Sequence, residues 1–344
     1  MHPHQPGNCF ISKNEISDAI TMSCVAVARF EAAARPEFGT VRSAANTLWS
    51  EGQKPERLRS GAAQSGERRL KICGVALALS FACAATPVAA QSKPQAEQGR
   101  LRGEYEATLV GVTVATGTLS VDVKDGQYSA TFNAASSGLV GVFKKFSYTL
   151  TSRGHVINNA LVPDSYHASS ASGDETEEVH VSFVKGNARE SRIVPEPHPA
   201  PGRIAPTEAE LNGVSDDLTA FAVRAPASGA VATAAACQAS TPVFNGWVRY
   251  DRKRVFIRME EENTAVYRGP LVVCHVGLAP VAGYTPAGMK EAGAQRGGEI
   301  AFAPVAGTRL LVPFRITSQT GIGVLTIRAT RFVSDASSES AAAR

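Results

Sequence analysis

The chain has 344 residues, of which 44% are hydrophobic and 19% charged; this is enough apolar side chain for one large or two ordinary domains and excludes a disordered chain by composition. The formal net charge is +4, but residues 1–90 hold 10 of the 35 basic and 7 of the 31 acidic side chains, leaving 25 against 24, a net of +1, after Ala90. So balanced a remainder gives no electrostatic case for nucleic acid, which needs a basic patch or stripe.

Residues 1–67 lack strand alternation, and only Ile16 to Ala34 fits a short helix. No Met lies between Met22 and Met259. Residues 1–67 therefore read as a leader that is disordered or not made at all, with translation expected to begin near Leu58. His2-Pro3-His4 has donors for a metal, but within that segment it reads as an ordinary surface sequence and no metal site is assigned. Residues 68–90 have the order of a secretory signal peptide. Arg68, Arg69 and Lys71 are basic, Ile72 to Ala85 is uncharged, Pro87 breaks the helix, and Val88-Ala89-Ala90 places small residues before Gln91. Cleavage is expected between Ala90 and Gln91, delivering a soluble protein to the periplasm of a Gram-negative bacterium. The membrane is then met only through the uncleaved signal. The alternative is an anchor, since Ile72 to Ala90 approaches the ~20 residues a spanning helix needs. Residues 91–100 read as a linker.

From Tyr105 the dominant period is two. Strands are expected at Tyr105–Val110 and Gly117–Val123, then a turn at Lys124-Asp125-Gly126 and a strand at Gln127–Ala134. Between two glycines, Leu139, Val140, Val142 and Phe143 form a candidate apolar lid. Phe146–Ser152 and Val156–Leu161 read as strands around a turn at Arg153-Gly154, with a break at Pro163-Asp164-Ser165. Val179–Val184 and Ser191–Val194 read as a hairpin around Lys185-Gly186-Asn187. Pro195 to Pro206 carries five prolines and reads as a loop. Asp216 to Val223 is the best helix candidate, with Ser215 as its N-cap and two Asp at the positive end of its dipole. Strands return at Trp247–Tyr250, Val255–Met259, Ala265–Tyr267, Leu271–Val276, Glu299–Ala303, Leu310–Ile316 and Gly323–Phe332. Gly126, Gly246 and Gly283 read as turn glycines. Residues 101–333 thus form a single β-rich domain, a barrel, sandwich or spiral, and 334–344 a flexible tail.

Of six cysteines, Cys9, Cys24, Cys73 and Cys83 fall in the leader or signal. Cys237 and Cys274 remain, and an oxidising compartment makes a structural disulfide the expected state, with two free thiols as the alternative. There is no nucleophile elbow, P-loop, H-E-x-x-H or G-x-G-x-x-G. His180 and His275, flanked by valines in expected strands, read as structural; no second His or Cys stands at metal spacing. Glu175, Glu177 and Glu178 read as a solvated acidic loop. The scattered Tyr148, Tyr166, Tyr250, Tyr267 and Tyr284 read as packing residues. No catalytic, cofactor or metal residue is assigned.

Several phrases, taken in order, carry a resemblance: Tyr105-Glu106-Ala107 leading to Gly117-Thr118-Leu119; Ser136-Ser137-Gly138-Leu139-Val140-Gly141; Asp217-Leu218-Thr219-Ala220-Phe221; Val243-Phe244-Asn245-Gly246; Tyr267-Arg268-Gly269-Pro270 with Cys274; Ala282-Gly283-Tyr284; and Val312-Pro313-Phe314 before Thr320-Gly321. Over about residues 100–333 the chain resembles the exported bacterial family of domain of unknown function 3108. Asn245-Gly246 stands where that pattern leads one to expect Asp-Gly. The resemblance implies an all-β protein of the cell envelope with one or two short helices and no established activity. Its outline is similar to periplasmic lipoprotein carriers and to β-spirals, in which a curved antiparallel sheet forms an open barrel. Two functions are expected ahead of a third, an enzyme whose site is assembled from residues distant in sequence. The first is a periplasmic protein that supports envelope integrity through a protein partner. The alternative is a carrier of a lipid or other apolar ligand in a half-open barrel.

Overall fold

The computed structural model describes residues 97–138, 145–197 and 200–336. Within them the strands are β1 (Gly99–Leu109), β2 (Val112–Lys124), β3 (Gln127–Ser136), β4 (Phe146–Ile157), β5 (Ala160–Ser172), β6 (Glu175–Val184), β7 (Asn187–Val194), β8 (Val223–Arg224), β9 (Ala239–Phe244), β10 (Arg249–Asn263), β11 (Arg268–Ala282), β12 (Gly298–Pro304), β13 (Leu310–Thr320) and β14 (Gly323–Ala336). Two short helices accompany them, α1 (Asp217–Phe221) and α2 (Pro286–Ala294), with 3-10 turns at Ala209–Leu211 and Ala234–Cys237.

The protein is all-β, a nearly closed antiparallel barrel. Its sheet order is β7-β6-β5-β4-β3-β2-β1-β14-β13-β12-β11-β10-β9, with β8 added to β13. This is two meanders sewn together by the first and last strands, which pair from Gly99↔Ala336 to Leu109↔Leu325. Period-two patterning builds the interior. In β1, Leu101, Tyr105, Ala107 and Leu109 are buried while Arg100, Arg102 and Glu104 face out. Gly103 lies on the inward side, where a Cβ would strike the Tyr105 ring two residues on. Four of the two-residue hairpin turns between β1 and β7 repeat one device, the exception being Gly173-Asp174, where only the glycine has a positive φ. Val110-Gly111, Asp125-Gly126, Asn158-Asn159 and Lys185-Gly186 all have two successive positive φ values, the type I′ geometry that suits twisted strands.

The structure moves several expected boundaries. The second hairpin turns at Asn158-Asn159, not Arg153-Gly154. β4 runs through Gly154, where the register shifts and Val162 O approaches so closely that a Cβ would overlap it. Pro163-Asp164-Ser165 lies inside β5, because Pro163 pairs with Gly154 at that bulge and owes no ladder hydrogen bond there. Glu175, Glu177 and Glu178 lie on β6 rather than in a loop. Ala265–Tyr267 is the turn between β10 and β11, where Thr264 N donates to Tyr267 O. Ser334 to Ala336 complete β14 against β1, so the strand outlasts the expected tail boundary. The α1 cap is Asp216, not Ser215, whose backbone is instead bridged to β9. The sequence reading missed α2, although Thr285 caps it and Pro286 opens it. Its alanine and glycine content leaves little amphipathic signal.

Packing divides into one large core, built from the first meander, β12–β14, Leu271 and Val273 of β11, Phe244 of β9 and Val214 and Leu218, and two smaller clusters. One small cluster surrounds the Cys237–Cys274 disulfide, which staples the 3-10 turn at Ala234–Cys237 to β11 with a Cα separation of 5.6 Å. The other gathers Val243, Val248, Tyr250 and Tyr284 beside α2. Tyr267, Phe314 and Phe332 form an aromatic trio with centroids 5.5–5.6 Å apart.

Candidate functional site

A strap, residues 207–225, crosses the gap between the two edge strands. Its first turn is locked by Thr207 and Glu210: Thr207 N donates to Glu210 Oε2 at 2.8 Å, and Glu210 N returns a bond to Thr207 Oγ1 at 3.3 Å. This is a reciprocal capping pattern. Val214 N then donates to Gly186 O in the β6–β7 turn, while Ser215 N donates to Pro242 O and Ser215 O accepts from Phe244 N on β9. Each side is therefore tied to the strap, and Ser191 of β7 also reaches the β9–β10 turn directly at Gly246 O. The far end adds β8 to β13, and Arg224 there makes a two-pronged ion pair with Glu97 at 2.6 and 2.8 Å. Burial pushes the Glu97 carboxyl up, but Arg224 and the Arg309 N–H outweigh it and hold it below its usual range.

Between these ties, α1 packs against β3, β4 and β9. Its two aspartates, both fully buried, point into separate polar groups. Asp216 caps the helix through Thr219 N at 2.8 Å and accepts from Thr219 Oγ1 and Ser152 Oγ, each at 2.7 Å. Tyr128 Oη joins the same hydroxyls, 2.9 Å from Thr219 Oγ1. No cation is among these partners. Burial therefore dominates and pushes the Asp216 carboxyl up to about 6, against the pull of its hydrogen bonds and with a further push from Asp217. Asp217 is treated differently. It accepts from Asn245 Nδ2 at 3.1 Å and from the Tyr250 hydroxyl in a short bond. The Arg252 guanidinium lies 3.6 Å from its carboxylate, 2.7 Å from Tyr250 Oη and 3.9 Å from the Phe221 ring centre. Arg252 thus neutralises one carboxylate of the pair.

Beside this latch lies a small, partly open cavity of about 70 Å³. Its walls are Leu119, Val121, Ala130, Phe132 and Leu150 of β2–β4, Leu310, Val312 and Ile316 of β13, and Leu218, Phe221 and Ala222 of the strap. Only Tyr105, Tyr128 and Thr219 bring polar side chains to it. All three are engaged: Tyr105 Oη donates to Pro313 O at 2.7 Å, and the others belong to the Asp216 group. Burial pushes both tyrosine hydroxyls well above their ordinary range. The space is suited to apolar matter and offers no free nucleophile–base pair along its walls.

The lid residues Leu139, Val140, Val142 and Phe143, and the cleavage residues Ala90 and Gln91, lie outside the described residues. Among the described residues, α1 supplies Leu218, Thr219 and Phe221 to one wall of the cavity. Gly126, Gly246 and Gly283 all have positive φ. Gly246 lies against Val179 and Val181 of β6, and its O accepts from Ser191 Oγ at 3.1 Å. His275 is exposed on β11 opposite Val255. His180 is exposed on β6 and stacks on His167, a partner that no spacing in the chain betrays. Sequence reasoning also took Tyr250 as packing and the aspartates as helix-dipole partners, and so missed the latch. The available signal was a pair of carboxylates inside an otherwise apolar phrase.

The model of the family described as protein of unknown function (DUF3108) matches residues 104–330. This chain belongs to that family. No match was found among curated proteins. Among solved structures, a β-barrel-like protein of domain of unknown function DUF1849 from Brucella abortus is similar at 9% identity and a TM-score of 0.41, over 70% of this chain and 98% of that one. The DUF3108 phrases noted in the sequence converge in space. Asp217-Leu218-Thr219-Ala220-Phe221 is α1, Asn245 of the second phrase donates to it, and Tyr284 of another packs with Ala220.

Proposed function

We propose that this protein is an exported, periplasmic binding protein that carries an apolar, lipid-like ligand inside its barrel. The observation that carries the reading is the lining of the cavity: its walls are apolar, and the three polar side chains that reach it are all engaged by protein partners, as in pockets built for apolar ligands. The signal-like segment 68–90 and the Cys237–Cys274 disulfide support export. The absence of a free catalytic pair on the cavity wall favours carriage over turnover.

The test is titration of the full chain with the apolar fluorophore N-phenyl-1-naphthylamine. Saturable binding to one site is expected. Ala130→Phe, which fills the cavity from β3, should weaken it roughly tenfold or more while the melting curve stays cooperative. Absence of binding, or equal binding by the filled variant, refutes the carrier.

A second reading, envelope support through a protein partner, has its own observation. β9 covers β10 only along Arg249–Arg254, and beyond them Val255, Ile257 and Met259 are exposed. An unpaired, apolar strand edge is a place where a partner strand can add.

A further inference from the structure

We propose that His167, Glu178 and His180 form a surface site for one divalent first-row transition-metal ion of the zinc or copper class. This lies beyond the carrier reading and away from the cavity. The backbone register makes the site. His167 of β5 pairs directly with His180 of β6, and Glu178 stands two residues before His180, on the same face of the strand. The alternate residues Tyr166, Val179 and Val181 are buried on the opposite face, so the three candidate ligands share the outer side of the sheet.

The geometry is that of a cluster. One ligand atom from each of the three residues lies within 4.8 Å of the other two. The imidazole centres are 4.3 Å apart, and His180 Nε2 is 3.4 Å from Glu178 Oε2. One atom points to a missing partner. His167 Nε2 is shielded from solvent and has no hydrogen-bond partner, an unusual state for a ring nitrogen that either donates or accepts.

Two imidazoles and a carboxylate are a donor set for zinc and its neighbours, with the remaining positions left to water. Oxygen-loving Mg²⁺ and Ca²⁺ are disfavoured by the two nitrogens. β4 and β7 flank the pair of strands, so the ligands stand on supported backbone rather than on a loop. Arg192, opposite His180 on β7 and exposed, adds a positive charge that lowers the affinity. A half-exposed site of this kind is expected to bind in the micromolar range or weaker.

The test uses the full, untagged, metal-stripped chain carrying His2→Ala and His4→Ala, so that the leader contributes no imidazole. Calorimetric titration with Zn²⁺ up to about 0.1 mM should show one site. Cu²⁺ electron paramagnetic resonance should show two imidazole nitrogens. His180→Asn and His167→Gln should each weaken Zn²⁺ roughly tenfold or more and remove one nitrogen. Glu178→Gln should weaken Zn²⁺ while keeping both nitrogens. No Zn²⁺ binding, or histidine variants with unchanged affinity and nitrogen count, overturns the site. Should a histidine variant fail to fold, the exposed Glu178→Gln decides: weaker Zn²⁺ with two nitrogens supports the site, and unchanged affinity or fewer than two nitrogens overturns it.

Discussion

Asp216 is expected to make the protein less stable as pH rises from about 4 to about 7. Its carboxyl is raised from 3.8 to about 6 in the folded state, so between those values the folded chain binds a proton that the unfolded chain has released. Folding stability must then fall across this window, by about 1.4 kcal/mol per unit. The displacement of roughly two units gives about 3 kcal/mol. Below pH 4 the group is protonated in both states, and above about 6 ionised in both, so the loss is complete by neutral pH. Asp216→Asn mimics the protonated acid. Its oxygen can still cap Thr219 N, and its amide can donate to the Ser152 and Thr219 hydroxyls, which turn toward Tyr128 Oη. Urea unfolding at constant ionic strength, from pH 4 to 7.5, measures both proteins. Glu97, Glu260 and His167 have lowered values and act in the opposite sense, destabilising the fold as pH falls. They are common to both proteins, so the difference isolates Asp216. The variant should gain about 3 kcal/mol on wild type between pH 4 and pH 7. A difference that stays flat, or one that shrinks, refutes the view that Asp216 is a buried carboxylate without a cation.

Other substitutions test the remaining supports. Cys274→Ser opens a link between residues 37 apart in sequence and should cost about 4 kcal/mol in urea melts under oxidising conditions; unchanged melting refutes a stabilising disulfide. Arg252→Met strands the buried Asp217 and should cost about 3–5 kcal/mol, whereas Arg252→Met with Asp217→Asn should recover much of that, as a double-mutant cycle would read. Tyr105→Phe removes the hydroxyl that donates to Pro313 O in the core and should cost about 1 kcal/mol, read in urea melts. Gly283→Ala forces a Cβ onto Trp247 O at a positive φ and should cost upwards of about 1 kcal/mol; a neutral result means that the backbone relaxes there.

The β-rich class was legible because alternation is written residue by residue. Leu119, Val121 and Val123 share a buried face, and Asp125-Gly126 announces its turn. The errors share a cause. Gly154 and Pro163 look like breakers in isolation, yet each sits across from the other at a bulge, where one tolerates crowding and the other needs no donor. Local preference marks both as irregular; only the partner strand tells whether the irregularity is a turn or a bulge. The pairing of β1 with β14 was out of reach for the same reason, since it joins segments more than 200 residues apart.

The site was less legible than the fold because its residues owe their state to burial by distant segments. Asp216 and Asp217 are adjacent and identical in type, and helix-dipole reasoning treats them alike. The structure separates them by what each side of α1 meets: hydroxyls from β3 and β4 on one side, Arg252 and Tyr250 of β10 on the other. A five-residue helix has too few hydrogen bonds to stand alone. Its place is fixed by those two groups, by the Gly186 and Pro242 carbonyls before it and by β13 after it. The same strap supplies Leu218, Phe221 and Ala222 to the cavity wall. Cavity wall and latch therefore share one element, so a change that loosens the Asp216 or Asp217 group acts on the strap that shapes the cavity.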